Sequence, residues 1–414
     1  MTPGDLIIIG GGPSGMAAAI EARRNGVSSV TILESNDSLG AKLLLTGAGR
    51  CNFTNSSIMA SAYPRNGDTT VIENLVDQFD GQAIIDWFKD LGLKVETDSA
   101  GRVFPFPGKA RSLISLLEME LRDLGVKVVL STSVTSVHKE RESGLFIIDT
   151  LKGRFCCRLL IVATGGKSYP STGSDGNGYE LLRKLGHRIT NLTPVMVPLN
   201  CKFRAQKMLH GQKWFAELEL LKRENILHRT SGDIMFTKNG ITGLGVFELT
   251  AFAAPVDYDG LSVRISLFPD DEDGLNAVSK LLELSEKYFE RTILELFVGI
   301  LPSKLVKAFT REDDLNRSLK NSGPHVFNEA LNRTVLSMCK ITIPVSSHGG
   351  WSHGQITAGG VQINEIDETF RSRLVEGLWI TGEILDVHGI CGGYNLHFAW
   401  SSGIIAARAT SSCL

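Results

Sequence analysis

The period of the apolar positions changes from block to block along this chain, and the first block is the clearest. Leu6-Ile7-Ile8-Ile9 is a continuous apolar run, the pattern of a parallel strand buried on both faces. Gly10-Gly11-Gly12-Pro13-Ser14-Gly15 interrupts it. Residues 16–24 are alanine-rich and favour helix, and Asn25-Gly26 stops them. Val30-Thr31-Ile32-Leu33 is a second strand, ending at Glu34. Residues 1–35 are therefore expected to form one βαβ unit.

Further on, helical spacing marks residues 82–91 and 110–124, while 126–130, 134–138 and 145–149 read as strands linked by turns. Residues 155–163 form another apolar strand and stop at Thr164-Gly165-Gly166. From about 195 to 270 short strands with glycine and proline punctuation are expected, and from about 273 to 340 helices. Trp379-Ile380 opens a last strand and residues 395–408 a last helix. The expected division is one α/β domain built from 1–194 and 344–414, interrupted by a β-rich subdomain (195–272) and a small helical one (273–343).

Composition narrows the function. A length of 414 residues suggests two or three domains. A formal net charge of −2 gives no electrostatic ground for a nucleic acid or anionic membrane partner. In the β-rich and helical inserts the acids Asp270, Asp271, Glu272 and Asp273 are mixed with bases. The first apolar run is too short for a leader or a membrane span. The seven cysteines are scattered, Cys156 and Cys157 are adjacent, and no C-x-x-C pair occurs. Neither a disulfide framework nor a metal site is written here, so reduced thiols and a cytoplasmic location are expected.

The chemistry starts at the glycine turn. Gly10, Gly12 and Gly15 have the G-x-G-x-x-G spacing between a strand and a helix, with Glu34 closing the next strand. The glycines allow a tight turn and close approach of backbone to a pyrophosphate, the helix N-terminus faces its charge, and the acid accepts ribose hydroxyls. An acid there favours the unphosphorylated ribose of FAD or NAD. The segment from Gly40 to Asn55, with Lys42, Thr46, Gly49, Arg50, Cys51 and Asn52, should run toward the ring end of the cofactor. Lys42 and Arg50 can offset phosphate charge there, although a solvated surface lysine is the plainer reading of Lys42. Cys51 lacks a second cysteine nearby, so a packed or flavin-adjacent thiol is expected rather than a redox-active one.

Ala163-Thr164-Gly165 should cross back over the cofactor. In the last block Thr381-Gly382-Glu383, Asp386-Val387-His388-Gly389 and Gly392-Gly393-Tyr394-Asn395 would bring an acid to the ribityl chain. The helix from Asn395 would point its positive end at the flavin pyrimidine edge, stabilising the reduced anion. Gly173-Ser174-Asp175-Gly176-Asn177-Gly178 leaves no clear strand and reads as a loop. A second complete fingerprint for NAD(P)H is not found.

Together these segments resemble the bacterial NAD(P)/FAD-dependent flavoproteins related to aminoacetone oxidase and 3-dehydro-bile-acid reductase. The resemblance spans almost the whole chain; residues 45–55 and Gly392-Gly393-Tyr394-Asn395 are its specific parts. It implies an α/β, glutathione-reductase-like FAD domain interrupted by the two inserts. It also implies FAD contacts at Gly10, Gly12, Pro13, Ser14, Gly15, Glu34, Lys42, Thr46, Gly49, Arg50, Cys51, Asn52, Ala163, Thr164, Gly165, Gly382, Glu383, Asp386, Gly393, Tyr394 and Asn395, with Val134 giving backbone bonds to adenine. Two departures from the family pattern stand out. Gln355 precedes Thr357-Ala358-Gly359-Gly360-Val361 where relatives carry a small or apolar residue, and residues 346–353 are unusually rich in His and Gly.

The expected activity is hydride transfer between flavin and a small organic substrate. NAD(P)H-driven reduction of an activated C=C bond is favoured over amine oxidation by oxygen, and a nucleic-acid-modifying flavoenzyme or a flavin sensor is disfavoured. NAD(P)H would visit the flavin transiently. Tyr394, His388, His353 and His348 are the candidate proton donors, Tyr394 foremost. The oligomeric state is left open.

Overall fold

The computed structural model describes residues 4–63, 69–252, 258–271 and 273–414; Glu272, among the acids named above, lies outside them. The described chain forms two compact units, residues 1–195 with 351–414 and residues 196–350.

The first unit is built on a seven-stranded sheet. Strand Gly4–Ile9 pairs in parallel with Val30–Leu33 on one side and Gly153–Val162 on the other. Lys127–Val129 continues the sheet beyond Val30–Leu33. Leu378–Ile380 joins the carboxyl-terminal half of Gly153–Val162, also in parallel. The amino-terminal half of that long strand pairs instead with the antiparallel hairpin Val134–Lys139 and Phe146–Thr150. Leu6 and Ile8 are fully buried, as the unbroken apolar run required, and each such side chain contributes roughly 2 kcal/mol.

Helices Pro13–Arg24 and Tyr394–Ser411 cover this sheet from opposite ends of the sequence. They approach closely because Gly403 has no side chain: a Cβ there would lie 2.3 Å from the Ser14 carbonyl oxygen. A small antiparallel sheet, Thr54–Asn55, Arg102–Pro105 and Val95–Thr97, sits beside the segment that follows Glu34.

The second unit holds a closed antiparallel barrel of six strands: Leu199–Cys201, Gly240–Thr242, Asn225–Phe236, Lys213–Lys222, Leu261–Ser266 and Ile341–His348. Alternation writes its interior, with Ile341, Ile343 and Val345 buried between exposed neighbours. The run of helices from Leu275–Lys287 to Pro324–Cys339 shares one hydrophobic core with the barrel, in which Phe297, Phe327, Leu331 and Ile343 are all buried. Strand Ile341–His348 straddles the 343/344 division read from the sequence and completes the barrel. Strands Lys213–Lys222 and Asn225–Phe236 are ten and twelve residues long, not the short strands expected there.

Candidate cofactor-binding site

In the first unit the sheet order reverses between Gly4–Ile9 and Gly153–Val162, because the chain builds outward from Gly4–Ile9 on one side and returns for the other. A ligand crevice forms outside the carboxyl ends of strands at such a reversal. Both glycine turns lie there. Gly10 has φ +106°, and a Cβ on it would be 2.4 Å from the Ala163 carbonyl oxygen, so the two turns are in contact. A Cβ on Gly15 would be 1.9 Å from the Gly10 carbonyl oxygen. Gly12 differs: a Cβ on it meets nothing within 4 Å. Helix Pro13–Arg24 starts there with Pro13 in its first turn and no side-chain cap, leaving first-turn N–H groups and the positive end of the helix for an anion.

Glu34 is buried at the end of the second strand. It accepts the Gly11 N–H at 2.6 Å, and its other oxygen accepts from the Asn36 backbone and side-chain nitrogens at 2.8 and 2.9 Å. The carboxylate is thereby fixed beside the turn, where an adenosine ribose would present its hydroxyls.

The next segment folds into tight turns. Gly47, Ala48, Gly49 and Cys51 all have left-handed backbone, which costs a non-glycine residue about 1–2 kcal/mol, and such strain gathers at ligand sites. The Thr46 hydroxyl donates to the Leu43 carbonyl, and the Thr46 carbonyl accepts the Cys51 N–H. Cys51 is fully buried, and burial pushes its thiol up to about 12, so it stays protonated and unreactive. Arg50 is exposed, with its guanidinium 4.2 Å from the Phe104 ring centroid and 3.9 Å from Glu96.

Lys42 is not a free surface lysine. Its ammonium donates to both oxygens of Glu383 at 3.0 and 2.7 Å, and Glu383 also accepts the Thr357 N–H at 2.9 Å. Thr357 in turn accepts the N–H groups of Lys167 and Ser168 at 2.8 and 3.2 Å. A Cβ on Gly166 would meet both the Thr357 hydroxyl and the Glu383 carboxylate below 3 Å. Thr357 thus joins the turn after Ala163 to the carboxyl-terminal acid. Sequence reading quoted Thr357 only as part of a pattern, since no local periodicity marks a residue that joins segments about 190 positions apart.

At the carboxyl-terminal end, Ser14 donates to Thr381 at 2.8 Å, and the Gly382 N–H donates to Ser402 at 3.0 Å. Helix Tyr394–Ser411 begins at Gly393, φ 102°, also without a side-chain cap. Asn395 holds the preceding loop by accepting the Gly389 N–H and donating to the Gly389 carbonyl. Asp386 accepts from the Thr190 hydroxyl at 2.9 Å, and burial raises its carboxyl above the usual range. The Val134 carbonyl accepts from the Asn177 side chain at 2.9 Å.

The four candidate proton donors have separate surroundings. The Tyr394 hydroxyl donates to the Ser57 carbonyl at 2.9 Å, and its ring packs edge-on against Tyr63. His388 is buried near Asp386. His353 is exposed, with Nδ1 2.9 Å from the Ser352 hydroxyl. His348 belongs to the second unit, where Nδ1 accepts the Gly350 N–H at 2.8 Å and burial lowers its affinity for a proton. With its proton used inside the fold, Tyr394 acts as a tether. Tyr394→Phe is expected to lower stability by about 1 kcal/mol, read from the urea midpoint, with flavin content unchanged.

These residues fit FAD. Asn52 Oδ1, Thr164 Oγ1 and Ser174 Oγ are buried without a hydrogen-bond partner, a deficit of about 1–3 kcal/mol each that a polar ligand would relieve. With the open face of Gly12 and the two uncapped helix starts, they line the route from the fingerprint to the Gly393 turn.

The family model for HI0933-like protein Rossmann domains matches residues 4–409. The chain belongs to the HI0933-like family. Over 410 residues, 98% of both chains, it is 35% identical to a 3-dehydro-bile acid delta(4,6)-reductase of Clostridium scindens. Over 412 residues, again 98% of both, it is 26% identical to a ribosomal RNA dihydrouridine synthase of Haemophilus influenzae. Among solved structures it resembles the 3-ketosteroid-delta4-(5alpha)-dehydrogenase of Rhodococcus jostii RHA1, with a TM-score of 0.55 and 15% identity over 98% of this chain and 96% of that one, which establishes a shared fold. This HI0933-like protein is a flavin-dependent oxidoreductase. Among the described residues no group of His, Cys, Asp and Glu is placed to hold a metal, and no helix is long and apolar enough to cross a membrane.

Proposed function

We propose that this enzyme reduces a carbon–carbon double bond conjugated to a carbonyl, with electrons from NAD(P)H. The observation that carries the reading is the pair of full-length relatives. A 3-dehydro-bile acid delta(4,6)-reductase acts on double bonds in line with a 3-ketone, and a dihydrouridine synthase saturates a double bond conjugated to a ring carbonyl. Steroid and nucleobase share little except that enone. The substrate takes a hydride at its β-carbon and a proton at its α-carbon, and the nicotinamide is oxidised by two electrons. FAD, when bound, accepts the hydride from one partner and passes it to the other. The chain supplies position and exclusion of water.

A steroid-like or other small enone is favoured over RNA. The 35% relative acts on a bile acid, and residues 196–350 contain as many Asp and Glu as Lys and Arg, so they offer no excess of positive charge to a phosphate backbone. RNA remains the second reading because the match to the dihydrouridine synthase covers 98% of the chain.

The test is anaerobic stopped-flow on the FAD-loaded protein. NADH or NADPH should bleach the flavin, and an enone should restore it after the oxidised nicotinamide has left, giving parallel-line steady-state kinetics. Restoration by uridine-containing RNA and by no small enone would move the assignment to RNA. Rapid oxygen uptake with amines, and indifference to both nicotinamides, would replace the reductase by an oxidase.

A further inference from the structure

We infer that Tyr169 is the hydrogen-bond donor to the substrate carbonyl and that Gln355 is the positioning residue that aims it. This rests on the enone-reductase reading and adds to it the group that bears the developing charge. As the β-carbon takes the hydride, negative charge collects on the carbonyl oxygen. A fixed donor aimed at that oxygen lowers the barrier more than any uniform binding contact.

Four tyrosines belong to the first unit, and two of them donate their hydroxyl proton within it. Tyr63 donates to the Tyr394 carbonyl, and Tyr394 donates to the Ser57 carbonyl. Tyr179 has a hydroxyl without a hydrogen-bond partner, but at 2% exposure the residue is enclosed by the fold. Tyr169 is the one of the four that is not buried. It is half-buried, and its hydroxyl accepts a hydrogen bond from the Gln355 side-chain nitrogen at 3.0 Å, which leaves its own proton for another acceptor.

The backbone is arranged to present this side chain. Tyr169 has φ 56°, a left-handed conformation costing a residue with a side chain about 1–2 kcal/mol. Its N–H donates to the Trp351 carbonyl at 3.0 Å, and its carbonyl accepts the Thr172 N–H and hydroxyl at 2.9 and 2.8 Å. It lies three residues beyond Gly166, which packs directly on the Glu383 carboxylate, and Gln355 lies two residues before Thr357, which donates to the same carboxylate. Both partners therefore lie in segments that also contact Glu383, the acid that the family resemblance places at the ribityl chain.

The test is the pair Tyr169→Phe and Gln355→Glu in the FAD-loaded enzyme. Tyr169→Phe should slow reoxidation by an enone about 10²-fold, the usual loss on removing one oxyanion donor, while reduction by NAD(P)H keeps its rate. Gln355→Glu keeps size and shape but reverses the bond: the carboxylate takes the phenolic proton and withdraws it from the substrate. It should match Tyr169→Phe, and the double variant should be no slower than either. Gln355→Leu should lose only about tenfold, with Gln355→Asn recovering part of the loss. Wild-type reoxidation rates in Tyr169→Phe, loss of flavin from it, or a fully active Gln355→Glu would each overturn the assignment while leaving enone reduction standing. A wild-type enzyme that reduces no enone would overturn both.

Discussion

Gly12→Val should give a protein that folds and has lost its FAD. The reason is the contrast among three glycines of one turn. A side chain on Gly10 or Gly15 would run into backbone at 2.4 or 1.9 Å, so those positions are required by the fold itself. A side chain on Gly12 meets no protein atom within 4 Å, and its φ of −81° suits any residue. Glycine there is needed by something outside the chain, and a pyrophosphate over an uncapped helix start is the ligand such a turn takes. Replacing glycine at this N-cap costs about 1 kcal/mol of stability, so melting should shift by a few degrees at most. Flavin retention should fall below detection after gel filtration, a loss of at least 10²-fold in affinity. Gly15→Val is the control, expected to fail to fold. Full FAD stoichiometry in Gly12→Val would show that the pyrophosphate does not lie over this turn.

The same turn shows what the sequence can and cannot disclose. Strand Gly4–Ile9, the helix after it and Val30–Leu33 are specified by neighbours in the chain, through an unbroken apolar run, an alanine-rich stretch and a glycine stop. They are legible for that reason. Helix Leu244–Phe252 is apolar almost all round, so no period betrays it, and the strands of the small sheet are two to four residues long. Strand Ile341–His348 alternates cleanly, but nothing local says which sheet it joins.

The site divides in the same way. The place of Glu34 beside the glycine turn is legible because it ends a strand at a fixed distance from the glycines. The pairing of Lys42 with Glu383 could not, since 341 positions separate them and both residue types are ordinary on a surface. Tyr394 illustrates the opposite error. The glycines beside it favour a close approach to the flavin ring and made it the foremost proton donor, whereas the fold brings the Ser57 carbonyl within 2.9 Å of its hydroxyl and uses the proton there.

A large loss of stability confined to acid should come from His397. This residue is fully buried in helix Tyr394–Ser411, between the Thr54 hydroxyl at 2.9 Å from Nδ1 and the Phe79 carbonyl at 2.9 Å from Nε2. A carbonyl can only accept, so Nε2 carries the proton and Nδ1 accepts from Thr54: the neutral ring satisfies both partners, and burial leaves a charged ring without solvation. Burial accordingly pushes its pKa down to about 4, against about 6.5 for a histidine in the unfolded chain. Between those values the unfolded chain binds a proton that the folded one does not. Stability therefore falls as pH drops from about 6.5 toward 4, by about 2–3 kcal/mol at pH 4.5. His397→Gln keeps a donor for Phe79 and an acceptor for Thr54 but does not titrate. Urea denaturation with FAD in excess should show wild type losing about 2–3 kcal/mol more than His397→Gln between pH 7 and 4.5. Parallel losses in the two proteins would mean that His397 is protonated inside the fold and that another group carries the acid sensitivity.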